Sequence, residues 1–469
     1  MVECIRLGLR TSWHEHATAM NLVQRDLAVV WHPCAQMRDY QDFSPLEVVS
    51  AEGCHIHLAD GSRLIDAISS WWCKALGHRH PRLTAALHAQ ADSFEHVIFA
   101  NTTNHLVVRF CERLLAVANG ATDLQGPAYT KVFLSGDGST GLEVALKMAV
   151  QFHRQHGAPQ RTRFACLENG YHGESIATMS VSDCAQYRAP FVDLCFPVTV
   201  LTGVPYRNGP EDPLWQDAAG EWPHLEAQLA LQADSLAAIV VEPVLQGAGG
   251  MRLYSPDLLR RLRGWCDAHG VLLIVDEIAA GMGRLGTYLA SHQAGITADL
   301  AVLSKGLTGG YLPLTATLTS QTIYAAFYAE WHEGRAFLHS NTYSGNALGV
   351  AVADATLSVF HDEDVLGQVA RRGPLLRVGL EALQSPFLAE IRGCGMMAAA
   401  DLVQANGQPW PADKRVGLRV FQAAIRRGAL LRNLGNTVYL FPPLIISDDL
   451  IAELLAIVRD AVDEVCGAT

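Results

Sequence analysis

Short, unbroken apolar runs set the frame of this chain. Val132–Leu134, Leu236–Val241, Val271–Val275 and Leu300–Leu303 carry no polar position and end in polar or glycine-rich turns. Runs of that length suit strands buried on both faces of a parallel sheet. Arg161–Leu167 predicts another strand. Between the strands, apolar residues recur at i, i+3 and i+4, which predicts helices over Leu142–His153, Leu258–His269 and Ala347–Phe360. From Lys131 to Leu303 strand and helix alternate, the pattern of a doubly wound α/β sheet.

The flanks follow other patterns. Val48–Asp66 alternates apolar and polar positions around Asp60-Gly61, which predicts a β-hairpin with His55 and His57 on one side. Two amphipathic helices follow, over Pro81–Phe94 and His105–Ala118. Residues 184–224 show no clear period and read as a long surface excursion. From His361 onward, amphipathic helices (Asp364–Leu383, Lys414–Arg427) alternate with short strands (Met396–Leu402, Val438–Phe441), as in a separate α+β unit.

Composition narrows the class. The chain has 469 residues, 49% hydrophobic and 17% charged, which favours a large buried core over disorder. A net charge of −12 without a basic block argues against nucleic acid as a partner. No apolar run reaches membrane-spanning length. The 11 cysteines are scattered and form no CxxC pair, which suits a reduced, cytoplasmic protein. Met1–Ala19 has no signal-peptide core. Met20 opens a stretch like an ordinary protein start, so residues 1–19 are expected to be a dispensable extension.

Two strands end in chemistry. Val271–Val275 leads into Asp276 and Glu277, and Leu300–Leu303 into Ser304 and Lys305, with glycines close behind. In open α/β sheets ligands bind beyond the carboxyl ends of the strands. An acid and an amine there suit pyridoxal phosphate (PLP), whose aldehyde needs a lysine and whose pyridine nitrogen needs a carboxylate. For an arbitrary pair the ordinary reading, a solvated lysine and a capping aspartate, is the commoner one. The turn Gly136–Gly141 sits between strand and helix, where backbone N–H groups bind phosphate. It also matches G-x-G-x-x-G, which raises a rival, an NAD-dependent oxidoreductase with Glu168 as distal acid. That rival leaves Asp276 and Lys305 unexplained, and no GK[ST] follows for a P-loop.

Other residues allow two readings each. Tyr171, in Asn169–Gly173, is an ordinary turn tyrosine or one that stacks on a flat ring. Trp71-Trp72 is core or a pocket wall. Arg432 is a surface residue or, in a pocket, a bidentate partner for a carboxylate. His55 with His57, and His78 with His80, read as solvated rather than as metal ligands, because closed zinc sites want four ligands. No metal is expected.

Together W-H-P-C (31–34), S-S-W-W (69–72), D-G-S-T-G-L-E-V-A-L-K (137–147), N-G-Y-H-G (169–173), E-P-V-L-Q-G-A-G-G (242–250), D-E-I-A-A-G-M-G-R-L-G (276–286), S-K-G-L-T-G-G (304–310) and H-S-N-T-Y-S-G-N (339–346) resemble the class III aminotransferases. The resemblance runs from about Met20 to the end. The tryptophan pair and R-x-L-G-x-x-x-Y-x-x-P-P (432–443) narrow it to the branch that transaminates 8-amino-7-oxononanoate in biotin biosynthesis. S-adenosylmethionine is that branch's usual amino donor and lysine an occasional one. Other ω-aminotransferases, acting on ornithine, GABA or diamines, are the alternative within the family.

The resemblance implies PLP fold type I and a homodimer with shared sites. It implies a large domain over 69–362 and a small one assembled from 20–68 and 363–469. It places Lys305 on PLP, Asp276 on the pyridine nitrogen, Tyr171 near the ring, and Gly138 and Ser139 on the phosphate. Thr342 is implied to reach the phosphate of the partner's cofactor. Trp71, Ser340, Arg432 and Tyr439 are implied to contact substrate, Arg432 through its carboxylate. Two positions depart from the family: Cys34, where a tyrosine is frequent, and Asp137, where many relatives have serine.

Overall fold

The computed structural model describes residues 21–467, so the expected extension over 1–19 lies outside the described residues. Strands β1 (Val48–Glu52), β2 (His55–Leu58) and β3 (Arg63–Asp66) form an antiparallel meander. The expected hairpin is therefore three-stranded, because Gly53, at φ +55, permits a tight turn ahead of the one at Asp60-Gly61. His55 and His57 share a face of β2, as expected, but both are half-buried rather than solvated.

The central sheet takes β4 (Tyr129–Ser135), β5 (Arg163–Leu167) and β6 (Thr199–Leu201). A small separate sheet of β7 (Tyr206–Arg207), β9 (Leu245–Gln246) and β10 (Arg252–Tyr254) lies beside it. The central sheet continues with β8 (Leu236–Val241), β11 (Leu272–Asp276), β12 (Leu300–Leu303) and β13 (Thr315–Ser320), in the order β4-β13-β12-β11-β8-β5-β6. Strands β12, β11, β8, β5 and β6 are mutually parallel, and β13 runs antiparallel to both β12 and β4.

The unbroken apolar runs divide by alternation between two cores. Ile239, Val241, Leu273, Val275, Ala301 and Leu303 join the cluster on one face. Val240, Leu272, Ile274, Leu300 and Val302 join that on the other. Every position of these strands is buried because helices cover both faces. The helix Gly138–Gln155 packs on one face; His105–Ala118, Pro256–His269 and Ala347–Asp362 cover the other.

Residues 184–224 are not the surface excursion the sequence suggests. They contain β6, which closes one edge of the central sheet, and β7. The apolar runs here are too short to show a period, yet Leu201 and Trp215 are buried.

C-terminally, β14 (Leu388–Gly393), β15 (Ala398–Leu402), β17 (Asn433–Leu434) and β18 (Thr437–Leu440) make an antiparallel sheet, while β16 (Ala429–Leu430) pairs parallel with β3. The N-terminal meander thus gains a strand from the far end of the chain. No helix among the described residues is long and apolar enough to cross a membrane.

Candidate active site

A cavity of about 450 Å³ opens beyond the carboxyl ends of β8, β11 and β12. Asp276 and Lys305 both line it. Asp276 closes β11 and stands in register with Val302 of β12, so the next strand delivers Lys305 alongside. Asp276 is buried and held on both oxygens. Its Oδ2 accepts from Nδ1 of His172 at 2.8 Å, and its Oδ1 accepts from the Ile278 N–H at 3.1 Å. A carboxylate gripped this way keeps one orientation.

Lys305 sits at φ +45, a left-handed conformation that bulky residues rarely adopt and that costs on the order of 1–3 kcal/mol. The turn swings the chain off β12 into a short 3-10 helix over Lys305–Thr308. The amine makes no hydrogen bond or ion pair among the described residues; it lies 5.0 Å from the Trp72 ring centre. Burial pushes the amine below the usual lysine range, against the opposing pull of Asp276, Glu242 and Cys73.

Two further acids are buried nearby. Glu242, at the end of β8, lines the same cavity, and its two oxygens accept from the N–H groups of Tyr171 and Gly247, each at 2.9 Å. Burial pushes its carboxyl up to about 7. Glu277 turns the other way and accepts from the N–H groups of Ala290 and Ser291, at 2.7 and 2.9 Å. It fixes a loop, and burial pushes it up to about 7 as well.

Gly138 and Ser139 open the 18-residue helix and line the cavity. Asp137 is the N-cap: its Oδ1 accepts from the Thr140 N–H at 3.0 Å and from the Thr140 hydroxyl at 3.1 Å. The loop after β5 packs closely on this turn. A Cβ on Gly173, at φ +124, would stand 2.2 Å from Ser139 Oγ. Glu168, the acid a dinucleotide would need, accepts from the N–H groups of Gly203 and Val204 at 3.0 Å each, so it is committed to its own loop.

A second, inner cavity of about 250 Å³ adjoins the first and runs from Lys305 to Arg432. Trp71, Trp72, Tyr171 and Tyr439 line it. The tryptophans ride on an unusual turn. Ser69, Ser70, Trp71 and Trp72 all have positive φ, between 44° and 72°, which is a single left-handed turn. Such a turn of non-glycine residues costs about 1–2 kcal/mol per residue. Asp66 holds it: the buried carboxylate accepts from Ser70 N–H at 2.9 Å and Ser70 Oγ at 2.7 Å, and from His78 Nε2 at 2.9 Å. His78 is therefore not solvated as expected, because it satisfies a buried acid. Arg284 ties the turn to the C-terminal sheet, donating to the carbonyls of Met396 and Pro442 at 2.7 Å and to Ser69 Oγ at 3.3 Å.

Trp72 Nε1 donates to the Tyr439 hydroxyl at 3.2 Å, and the Arg432 guanidinium lies 4.1 Å from the Trp71 ring centre. The Tyr171 hydroxyl donates to Glu174 at 2.9 Å. The structure thus brings together Lys305, Asp276, Tyr171, Gly138 and Ser139 around one cavity, and Trp71, Arg432 and Tyr439 around its neighbour. Ser340 and Thr342 are exposed and line neither. Sequence reasoning assigned no role to His172, Glu242, Asp66 or Tyr187. Glu242 carried a usable signal, an acid ending an apolar strand. The others carried none.

The model of the family described as aminotransferase class-III matches residues 36–462. The chain belongs to the class III aminotransferases. It is 40% identical over 441 residues to an adenosylmethionine-8-amino-7-oxononanoate aminotransferase from Synechococcus elongatus, covering 93% of this chain and 99% of that one. A protein of the same name from Geobacter sulfurreducens is 36% identical over 446 residues, covering 93% and 96%. Among solved structures, the adenosylmethionine-8-amino-7-oxononanoate aminotransferase from Methanocaldococcus jannaschii superposes with a TM-score of 0.86 at 30% identity, covering 95% and 99%. An amine transaminase from an uncultivated Pseudomonas species, solved with PLP bound, gives 0.85 at 34%, covering 93% and 99%.

The cofactor of this class III aminotransferase is pyridoxal 5'-phosphate, and the residues present fit it. A buried, unpartnered lysine, a doubly held carboxylate and the N-terminus of a long helix converge on one cavity. Nothing in that set resembles a nicotinamide site.

Proposed function

We propose that the chain transfers an amino group from S-adenosylmethionine to 8-amino-7-oxononanoate, giving 7,8-diaminononanoate. One observation carries the substrate reading. Arg432 stands at the end of an aromatic-walled cavity whose other end is Lys305. A long apolar chain with a ketone at one end and a carboxylate at the other suits those two termini.

Bound PLP supplies an aldehyde that takes up amino groups and a pyridinium ring that draws electrons from the adjoining carbon. Lys305 would hold the cofactor through its amine, and the same amine would carry a proton from the donor's α-carbon. Burial favours the neutral amine that this task needs. Asp276, aimed by His172 and the Ile278 N–H, keeps the ring nitrogen protonated. Gly138 and Ser139 present backbone N–H groups to the phosphate. Tyr171, with its hydroxyl fixed on Glu174, lines the same cavity and would lie near the ring. Trp71 and Tyr439 flank the substrate chain and Arg432 takes its carboxylate.

The enzyme works in this proposal as a cytoplasmic homodimer. Val97, Ile98, Leu338 and Tyr343 are exposed, and their segments meet where the Tyr343 ring lies 5.2 Å from that of His96 and where a Cβ on Gly345 would stand 3.0 Å from the Phe99 ring. An apolar face of that kind suits a second copy. Thr342 and Ser340, on the same segment, would serve the partner's site. All ten cysteines among the described residues are free, in keeping with a reducing compartment.

Single-turnover mixing of the holoenzyme with candidate amines tests the function. S-adenosylmethionine should bleach the PLP absorption, and later addition of 8-amino-7-oxononanoate should restore it with release of 7,8-diaminononanoate. Restoration by ornithine-derived or GABA-derived keto substrates alone would overturn the assignment.

A further inference from the structure

Asp137 stands at the helix end that the cofactor's phosphate would use. It lines the cavity beside Gly138 and Ser139, and it is exposed. As N-cap it commits one oxygen, Oδ1, to the N–H and the hydroxyl of Thr140. Its Oδ2 makes no hydrogen bond or ion pair among the described residues. A carboxylate with one free oxygen therefore sits at the positive end of an 18-residue helix. Capping through Thr140 leaves the N–H groups of Gly138 and Ser139 as the donors at that end.

The rest of the cavity does not offset this charge. Three carboxylates line it, those of Asp137, Glu242 and Asp276, against one lysine, Lys305, and no arginine. Lys305 is committed to the aldehyde. The first cation along the helix, Lys147, lies past the first turn and donates to His339 Nδ1 at 2.9 Å. Ser340 and Thr342, read above as serving a partner's site, carry no charge. A phosphate dianion thus meets backbone N–H groups with an anion set among them. An aspartate at an N-cap and a bound phosphate draw on the same helix terminus, and each weakens the other's hold.

We propose that Asp137 competes with the cofactor phosphate for this helix terminus, so that the covalent link to Lys305 carries most of the cofactor's retention. The pyridoxamine form, which has no such link, is then held loosely and exchanges with free cofactor between half-reactions. The inference rests on placing the phosphate at Gly138 and Ser139.

The test follows release of pyridoxamine 5'-phosphate from the full-length enzyme, read by the cofactor's fluorescence. Asp137→Asn keeps the shape and an N-cap of similar preference, and removes the charge. It should bind pyridoxamine 5'-phosphate about tenfold more tightly at low salt, the scale of a unit charge facing a dianion through water. At about 1 M salt, where the screening length falls to about 3 Å, the two proteins should converge. Phosphate-free pyridoxamine should bind both alike. Equal affinity of the two proteins at low salt, a gap that salt leaves unchanged, or the same gap with pyridoxamine would overturn the proposal. Ser139→Ala separates the two readings. If it weakens pyridoxamine 5'-phosphate binding while Asp137→Asn changes nothing, the phosphate placement stands and the competition falls. If neither variant alters binding, the placement itself fails and the proposal with it.

Discussion

His172 Nδ1 lies 2.8 Å from Asp276 Oδ2, and both side chains are almost wholly shut off from water. The two residues are 104 positions apart: His172 lies on the loop after β5, and Asp276 is the last residue of β11 in the same sheet. The imidazole sets which way the carboxylate faces. His172→Ala should leave Asp276 with only the Ile278 N–H and free to rotate. We expect kcat to fall on the order of 10- to 100-fold, the scale of a small misplacement of a reacting group, with weaker PLP retention. Cofactor titration and steady-state rates measure both, and wild-type values in each would contradict the role.

Asp66 stabilises the left-handed turn that carries both tryptophans. Asp66→Asn keeps the shape but removes the charge that His78 and Ser70 share. Loss of a buried acceptor costs about 1–3 kcal/mol, so the urea midpoint should drop. KM for the keto acid should rise while bound PLP stays constant, since the turn lines the inner cavity. A fall in PLP content without a change in KM would speak against this division.

Much of the sheet and the reactive pair was legible because they rest on local signals. Apolar runs such as Leu236–Val241 announce strands covered on both sides, and an acid or a lysine at the end of such a run is visible without a fold. The strand β13 was not legible. Its sequence, TATLTS, is half threonine, and only the packing shows that Thr317 can be buried because its hydroxyl donates to the Gly141 carbonyl. His172 looked like part of a glycine-rich turn, since its partner is set by the crossover between β5 and β11. Tyr187 sat in a stretch with no period at all. Contacts made by topology leave no trace in neighbouring residues.

Arg432 combines a ring contact with Trp71 and a bond to the Cys34 carbonyl. Arg432→Ala should raise KM for 8-amino-7-oxononanoate by roughly 10- to 100-fold, the value of a charge-assisted hydrogen bond of about 1.5–3 kcal/mol. Arg432→Lys should recover little, because an ammonium lacks the planar fork. PLP content should not change in either variant, and a parallel loss of cofactor would remove Arg432 from the substrate end.

Glu277 makes stability depend on pH. Burial raises its folded-state pKa from an ordinary carboxyl value to about 7. The folded state therefore binds the proton more tightly than the unfolded state. The associated stability is full below about 4.5 and is lost as pH rises through about 7. Glu277→Gln should be less stable overall, since one of the two N–H donors loses its acceptor, and should lack this decline. Denaturation midpoints between pH 5 and pH 8 compare the two slopes; identical slopes would exclude Glu277 as a source.

The covalent hold of Lys305 on the cofactor is the centre of the account. Borohydride reduction of the holoenzyme, followed by proteolysis and mass mapping, should place the phosphopyridoxyl group on Lys305. Its appearance on Lys74 or any other lysine, with Lys305 unmodified, would contradict it.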